Sequence, residues 1–282
     1  MPKPATLTPG RLGATQQIAV TKLPPATPKW ARPRNWLPPA VAFVIVAGLW
    51  QLVAVLDPYV LPRIEKVVAS LLGDPNMYLA NFLVTLQEVL IGSAIGILAG
   101  FGLAVVMSEF AVVERAVMPL VVVLMVTPVV AVAPALVVAF GFSMTPKYIV
   151  TAIMVFFPML VNSLAGLRGV DPRALNVLQT LHASRWEIFR DLRFPGSMPY
   201  VFAGLRVSLP LGVVGAAVAE FVAAGDQAGL GSLITVAAAQ ANLPVTWGSI
   251  VLLAILGILL ITVLSLVRKR VLWWSDGEVT PR

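Results

Sequence analysis

Long apolar runs alternate with short polar connections along this chain. Six of these runs contain few charged residues, and each is at least about as long as the 20 residues with which a helix crosses a hydrocarbon core of about 30 Å. The six runs cover about residues 37–56, 82–107, 116–140, 148–167, 201–223 and 248–267. The pattern therefore predicts an all-α integral membrane protein with six transmembrane helices.

The segments outside these runs suggest how the chain is organised. The predicted divisions are a tail at 1–36, a first span with an outer amphipathic segment at 37–81, a core at 82–267 with a long loop at 168–200, and a second tail at 268–282. The first tail contains seven prolines and scattered basic residues without apolar periodicity, so we expect it to be disordered. In the outer segment, Ile64, Val67 and Leu71 share one face of a predicted short helix.

The composition fits a membrane protein and excludes several chemistries. Apolar residues make up 59% of the 282 positions and charged residues only 12%, and the mean hydropathy is +0.90. Cysteine is absent, and His182 is the single histidine. The chain lacks the ligands for a cysteine or histidine metal site, so we expect neither a metal nor a catalytic constellation.

The net charge of +7 would suit a nucleic-acid partner, but its distribution follows the predicted spans. With six crossings both ends lie on one side, and sixteen lysines and arginines fall in the tails and loops of that side. The other side has three, Arg63, Lys66 and Lys147. Because cytoplasmic segments are enriched in basic residues, we expect both termini in the cytoplasm and no nucleic-acid partner.

Small residues and prolines shape the predicted spans. Gly92, Gly96, Gly100 and Gly102 give the second span a repeated small-xxx-small spacing, which predicts close approach of another helix. Prolines in the third and fourth spans predict kinked helices around a cavity. The segment 141–147 between those spans is rich in turn formers and predicts a tight outer turn.

The loop at 168–200 is patterned for two short helices. Asp171-Pro172 is an N-cap followed by proline at the first helical position, and it predicts the first helix. Ser184 and Glu187 have the spacing of a capping box, which predicts a second helix that Phe194-Pro195 ends. The second helix is amphipathic, and its apolar face packs either against the protein's own bundle or lipid, or against a partner.

Residues 178–195, with the sequence LQTLHASRWEIFRDLRFP, resemble the EAA loop of ABC importer permeases in spacing and residue type. Pro199-Tyr200 and Gly204-Leu205-Arg206 extend the match. Over about residues 80–270 the chain is similar to the nitrate/sulfonate/taurine branch of these permeases. The supporting segments are Thr127–Pro134, Phe156-Phe157-Pro158 with Asn162 and Gly166-Leu167, Ala219-Glu220-Phe221, and Gly229-Leu230-Gly231.

Two positions depart from the family pattern. Asn176 stands where the family has its acidic residue, and His182 stands where it has a glycine between the two loop helices. A left-handed backbone costs a non-glycine residue about 1 kcal/mol. Either His182 adopts that conformation at this cost, or the turn differs from the family's.

The resemblance implies the type I ABC importer permease fold in the inner membrane, with the loop acting as a coupling helix on a cytoplasmic ATPase dimer. The residues implied in this coupling are His182, Ala183, Ser184, Arg185, Trp186, Glu187, Ile188, Phe189, Arg190 and Pro195. Among them Phe189 is expected to be a buried anchor in the ATPase groove. The further implied partners are an extracytoplasmic solute-binding protein, a second permease copy, identical or different, and membrane lipid.

The chain has no G-x-x-x-x-G-K-[ST] phosphate loop. We therefore expect it to be a transport subunit and not an enzyme, with no cofactor of its own and with ATP bound on the partner ATPase.

Charged residues within the spans are the candidates for a pathway or gate, and they are Glu88, Arg206 and Glu220. The alternative is that they are interfacial groups hydrogen-bonded between helices. The resemblance implies a nitrate-, sulfonate- or taurine-like solute or a pyrimidine- or riboflavin-like vitamin precursor, and the sequence around Thr85–Leu90 is closer to the second class. An ion-coupled secondary transporter is the alternative function, but the sequence shows neither internal repeats nor acids near the midplane.

Overall fold

The computed structural model describes residues 33–223 and 229–273, with side chains from Leu37 onward. Every regular element in those ranges is helical. Most of the predicted tail at 1–36 and the part of the second tail after Trp273 lie outside the described residues. The chain divides into two units, the first ending at Leu49 and the second beginning at Trp50. In the first unit the described residues 33–49 are helical, and the packed helices belong to the second.

The described residues contain eleven α-helices. They are α1 (Pro33–Leu56), α2 (Ile64–Gly73), α3 (Pro75–Glu109), α4 (Ala111–Val126), α5 (Val129–Phe140), α6 (Met144–Arg168), α7 (Pro172–Thr180), α8 (Arg185–Ile188), α9 (Phe194–Val222), α10 (Leu230–Ala239) and α11 (Leu243–Val271). A π-helical segment of five residues, Phe189–Arg193, joins α8 to α9.

Five described spans are long and apolar enough to cross a membrane, and they involve α1, α3, α6, α9 and α11. A sixth is obtained when α4 and α5, which meet at a bend of 95°, are taken as one span. The prediction of one kinked helix over 116–140 is therefore wrong in detail. Pro128 offers no N–H to the ladder and holds Thr127 in an extended conformation (φ −70°, ψ 125°), so the helix cannot continue through this pair.

The predicted close approach to α3 is confirmed, and its partner is α6. A Cβ atom on Gly96 would lie 2.5 Å from the Ala152 carbonyl oxygen, and one on Gly100 would lie 2.7 Å from the Phe156 carbonyl oxygen. Only glycine permits such backbone contact. Gly102 has no neighbouring atom within 4 Å of an added Cβ, so it is not part of this contact.

The predicted outer turn at 141–147 is shorter than expected. Gly141 turns the chain with a positive φ of 73°, and Ser143 caps α6 by accepting a backbone N–H from its first turn at 3.3 Å. Because α6 begins at Met144, Lys147 lies inside a helix and is buried instead of exposed in a loop.

The predicted amphipathic segment is α2, which packs against α11 with Val67 buried. The Trp50 indole N–H donates to the Pro62 carbonyl oxygen at 2.9 Å and holds the start of this segment. The edge of the Trp50 ring also packs on Trp247 of α11, with ring centroids 4.7 Å apart. Long-range contacts therefore fix a helix that is too short to be stable alone.

Gly96→Ala is expected to destabilise the protein by about 1–3 kcal/mol, because the added methyl group meets the backbone of α6, which cannot rotate away. Gly102→Ala is the matched control on the same helix, and its better helix propensity predicts no loss of stability. Thermal unfolding of the two purified variants in detergent measures the difference. Equal midpoints for the two variants would contradict the close packing of α3 on α6.

Candidate functional site

The loop between α6 and α9 has the local structure that its sequence predicts. The Asp171 side chain caps α7 by accepting the N–H of Arg173 at 2.8 Å. At the start of α8, the Ser184 hydroxyl accepts the N–H of Glu187 at 3.3 Å, and the Glu187 carboxylate accepts the N–H of Ser184 at 2.7 Å. Both predicted caps are confirmed. The hydrogen bonds from Ser184 favour the charged carboxylate and hold the pKa of Glu187 below its usual value.

His182 adopts the left-handed conformation, with φ 58°. Its N–H donates to the Gln179 carbonyl oxygen at 3.0 Å, and the next N–H, of Ala183, donates to the Leu178 carbonyl oxygen at 3.0 Å. These two bonds form a Schellman motif that ends α7, with histidine at the position that glycine usually occupies. The turn thus forms in spite of the substitution, at the conformational cost expected for a side chain.

Phe194-Pro195 does not end the second loop helix, so that prediction is wrong. The helix widens into the π-helical segment, in which the Phe194 N–H donates to the Phe189 carbonyl oxygen five residues earlier. A proline ring crowds the carbonyl four residues before it, and a wider turn just ahead of Pro195 relieves that clash. Arg185–Val222 is therefore one continuous helical segment of 38 residues that joins the loop to the membrane span.

Aromatic side chains face two directions at the loop. Phe189 stacks on Trp186 with centroids 5.7 Å apart, and it contacts Phe194, which meets Phe101 of α3 at 6.1 Å. Phe189 also packs on the buried cluster that contains Leu167. Trp186 by contrast is 65% exposed. Phe189 therefore packs inward on the protein's own bundle, Trp186 is exposed, and docking of this helix on a partner stays a prediction.

Ion pairs hold the loop to neighbouring helices. Arg193 in the π-helical segment pairs with Glu109 at the end of α3, and Arg168 at the end of α6 pairs with Glu114 of α4. Arg190 pairs with its neighbour Asp191 at 2.8 Å and remains exposed. The π-helical segment is therefore anchored by charge as well as by aromatic packing.

A buried charge cluster lies at the other end of the bundle. Glu88 of α3 and Lys147 of α6 form an ion pair with Oε1 and Nζ 2.8 Å apart, and both side chains are fully buried. Glu220 of α9 is also fully buried, and its Oε1 accepts the Thr85 hydroxyl at 2.7 Å. Because Thr85 lies one turn before Glu88 on the same face of α3, the two acids belong to one cluster.

Glu220 also attaches α10. Its Oε2 accepts the N–H of Gly231, and Thr85 Oγ1 accepts the N–H of Leu230 at 2.9 Å. The neighbouring Gly229 has φ 157°, and a Cβ there would lie 2.1 Å from Glu220 Oε1. The two glycines are required because any side chain would occupy the position of this carboxylate.

Arg206 does not belong to the cluster. It lies 14 positions before Glu220 on α9, about 21 Å along the helix axis, and its side chain is exposed. Sequence reasoning missed Lys147 and Thr85, which complete the cluster around the two acids. The two acids within predicted spans indicate that such partners exist, since an acid in a membrane span requires a counter-ion or hydrogen-bond donor.

An apolar cavity of about 480 Å³ lies elsewhere, between α3, α4 and α6, with Ile95, Leu124 and Phe156 in its lining. None of the three candidate charged residues lines it. The cavity and the charge cluster are therefore separate features of the described chain.

A multi-pass helical membrane protein with a capped amphipathic loop at one end and buried charges at the other has the architecture of a membrane transport subunit. Comparison of sequences gives the family. The chain belongs to the binding-protein-dependent transport system inner membrane components, whose family model matches residues 92–272. It is thus an ABC importer permease of the inner membrane.

The relatives of this chain are permeases that are named for different transported solutes. The formylaminopyrimidine transport permease protein ThiX of Halalkalibacterium halodurans is 32% identical over 86% of this chain and 97% of its own length. The riboflavin transport system permease protein RibX of Chloroflexus aurantiacus is 32% identical over 57% of this chain and 60% of its own length. The putative aliphatic sulfonates transport permease protein SsuC of Bacillus subtilis is 26% identical over 95% of this chain and 96% of its own.

Glu220→Gln is expected to impair transport more than membrane insertion. Insertion depends on the length of the apolar spans, whereas the amide would present a donor or a weaker acceptor to the N–H groups that hold α10. Thr85→Ser keeps the hydroxyl and is the matched control. The measurement compares the amount of inserted protein with the uptake it supports, and equal losses of both would mean that Glu220 only holds the fold.

Proposed function

We propose that the loop between α6 and α9 docks on a cytoplasmic ATPase subunit and transmits ATP-driven motion directly into α9. The observation that carries the proposal is the continuous helix Arg185–Val222, which bears an exposed Trp186 near one end and the buried Glu220 near the other. A displacement of the loop therefore acts on the same continuous helix whose Glu220 attaches α10.

The exposed face of the loop supports docking on a protein surface. The loop exposes three apolar side chains, namely Val177 of α7, Leu181 directly after α7, and Trp186 of α8. Exposed apolar groups in one loop are typical of an interaction site, and aromatic side chains are frequent anchors of such interfaces. Arg185 and Arg190 lie beside Trp186 and suit the rim of the interface, where charges act mainly on the rate of encounter.

The charge distribution supports a cytoplasmic position for this loop and for both termini. The side that contains the loop has sixteen basic residues against three, and Lys147, one of those three, is buried in an ion pair. The count therefore favours a cytoplasmic loop in the sense of the positive-inside rule.

The proposed complex contains a second permease copy, an ATPase dimer that binds the ATP, and an extracytoplasmic solute-binding protein. A two-fold assembly presents two identical docking loops to the two ATPase subunits, which favours a second copy of this same chain over a different one. The permease itself contributes no cofactor and no catalytic group.

For the solute, we favour a pyrimidine-type vitamin precursor. The relative named for formylaminopyrimidine transport matches 97% of its length at 32% identity, whereas the relative named for sulfonates has 26% identity. The test is a thermal melt of the partner binding protein with formylaminopyrimidine, riboflavin, taurine or nitrate, because a ligand stabilises the folded state that binds it. Stabilisation by taurine or nitrate alone would contradict this assignment.

Trp186→Ala is expected to weaken co-purification of the permease with its ATPase and to abolish stimulated ATP hydrolysis, while the melting temperature of the permease stays unchanged. Phe189→Ala is the matched comparison three residues away. Because Phe189 packs on the bundle, its loss is expected to destabilise the permease by about 3 kcal/mol or less, since the side chain is only partly buried.

Two measurements on each variant separate the roles, namely complex yield in detergent and the thermal melt of the permease alone. Normal complex yield and coupling in Trp186→Ala would contradict docking through the loop. An unchanged melt in Phe189→Ala would contradict the inward packing of that ring.

A further inference from the structure

We propose that α10 is the outer gate of the solute pathway, that Glu220 and Thr85 hold it shut, and that the Glu88–Lys147 pair is the positioning pair that water reaches when the gate opens. The proposal rests on the import function above and adds to it a moving element and a role for Lys147.

Side chains of neighbouring helices attach the start of α10. Its leading N–H groups donate to side chains of other helices, with Gly229 N bonded to Asn81 Oδ1 at 2.8 Å and Leu230 N bonded to Thr85 Oγ1 at 2.9 Å. Gly231 N donates to the Glu220 carboxylate. A helix start has no partners for these groups of its own, so the side chains of α3 and α9 determine where α10 begins.

The helix α10 is too short to span a membrane. It has 10 residues, which corresponds to about 15 Å, half of the thickness of a hydrocarbon core. It packs against α3, α9 and α11 without spanning the membrane. An added Cβ on Gly231 of α10 would lie 2.8 Å from the Ala217 carbonyl oxygen of α9, whereas α3 and α6 meet closely at three glycines, Gly92, Gly96 and Gly100. A short helix with this smaller contact can leave its site without moving a transmembrane span.

Several polar atoms around the buried charges have no hydrogen-bond partner in the described chain. Glu88 Oε2, Ser93 Oγ and Thr151 Oγ1 are buried and have no hydrogen-bond partner among the described residues. Thr151 lies one turn after Lys147 on α6, and Ser93 of α3 faces Gly212 of α9, near which Thr151 also lies. Buried polar groups without partners favour hydration.

These charges thus stabilise two alternative states. In the closed state the carboxylate and the ammonium are paired but dry, and in an open state water would hydrate both charges together with the unpartnered atoms. Desolvation of a buried pair offsets much of its attraction, so the two states lie close in free energy. An apolar pair of similar size would gain nothing from water and would keep the gate closed.

The test uses single cysteines, because the chain has none of its own. Ala237 on α10 is 3% exposed and its neighbour Val236 is 45% exposed. Ala237→Cys reports whether α10 leaves its site, Val236→Cys controls for access to the helix, and Ala104→Cys in the buried cluster near the loop controls for unfolding. Each variant is reconstituted with its ATPase and binding protein in vesicles and labelled from outside with a membrane-impermeant maleimide.

The rate of maleimide labelling is measured in the nucleotide-free complex and in the complex trapped by ATP and vanadate. Val236→Cys reacts in both states and Ala104→Cys in neither, whereas Ala237→Cys reacts about tenfold faster or more in the trapped state, as a shift of a two-state equilibrium predicts. Equal labelling of Ala237→Cys in both states, with ATP hydrolysis still stimulated by the binding protein, would overturn the gate and leave the proposed function intact. Loss of stimulated hydrolysis with unsubstituted permease would overturn both.

A second set of variants tests the ion pair in the Ala237→Cys background. Lys147→Met leaves Glu88 unpaired in the dry interface, so faster labelling without nucleotide is expected. The double variant Glu88→Met and Lys147→Met keeps the interface packed, and is expected to melt like the parent while losing the nucleotide-dependent labelling. A double variant with parental labelling and parental hydrolysis would show that the pair only holds the fold.

Discussion

Close backbone contact between α3 and α6 is the constraint on which the rest of this structure depends. In hydrocarbon the hydrophobic effect does not drive helices together, so association relies on packing and hydrogen bonds. A Cβ on Gly92 would lie 2.5 Å from the Cβ of Thr151, which fixes the register of the two helices. Glu88 lies one turn before Gly92, and Lys147 lies one turn before Thr151. The glycine contact therefore sets the distance at which the two charges meet, and a residue with a side chain at position 92 would separate them.

The helix that carries the loop extends this constraint to both ends of the bundle. Trp186 and Glu220 are 34 positions apart on one continuous helical segment, which corresponds to about 50 Å. The π-helical segment accommodates Pro195 without a break, and Arg193 and Phe194 fix it to α3. A single continuous helical segment thus connects the surface where docking is proposed with the attachment of α10.

The sequence predicts those features that depend on neighbours within a few residues. The caps at Asp171 and Ser184 and the small-residue face of α3 were predictable because each arises from local hydrogen bonding or helix periodicity. The continuation of the helix through Pro195 was not, because the wider turn is supported by Phe101 and Glu109, which lie more than 80 positions away. A count of charges along the chain places Lys147 in an outer turn, because such a count does not consider which helix faces meet. The position of Glu88 across the interface, which only the packing reveals, makes it a buried counter-ion.

The packing also limits which parts of the chain can move during transport. Helices in backbone contact cannot slide without meeting each other's main-chain atoms, so α3 and α6 form one body, to which α9 is joined through Gly212 and Gly215. Two places are held differently. One is the bend at Thr127 and Pro128, where extended residues separate α4 from α5. The other is the start of α10, where side-chain bonds accompany a single close backbone contact, between Gly231 and the Ala217 carbonyl oxygen. Because the cost of breaking a few hydrogen bonds is small once water can replace them, motion at the outer end is expected to separate α10 from the body before it disturbs the contact between α3 and α6.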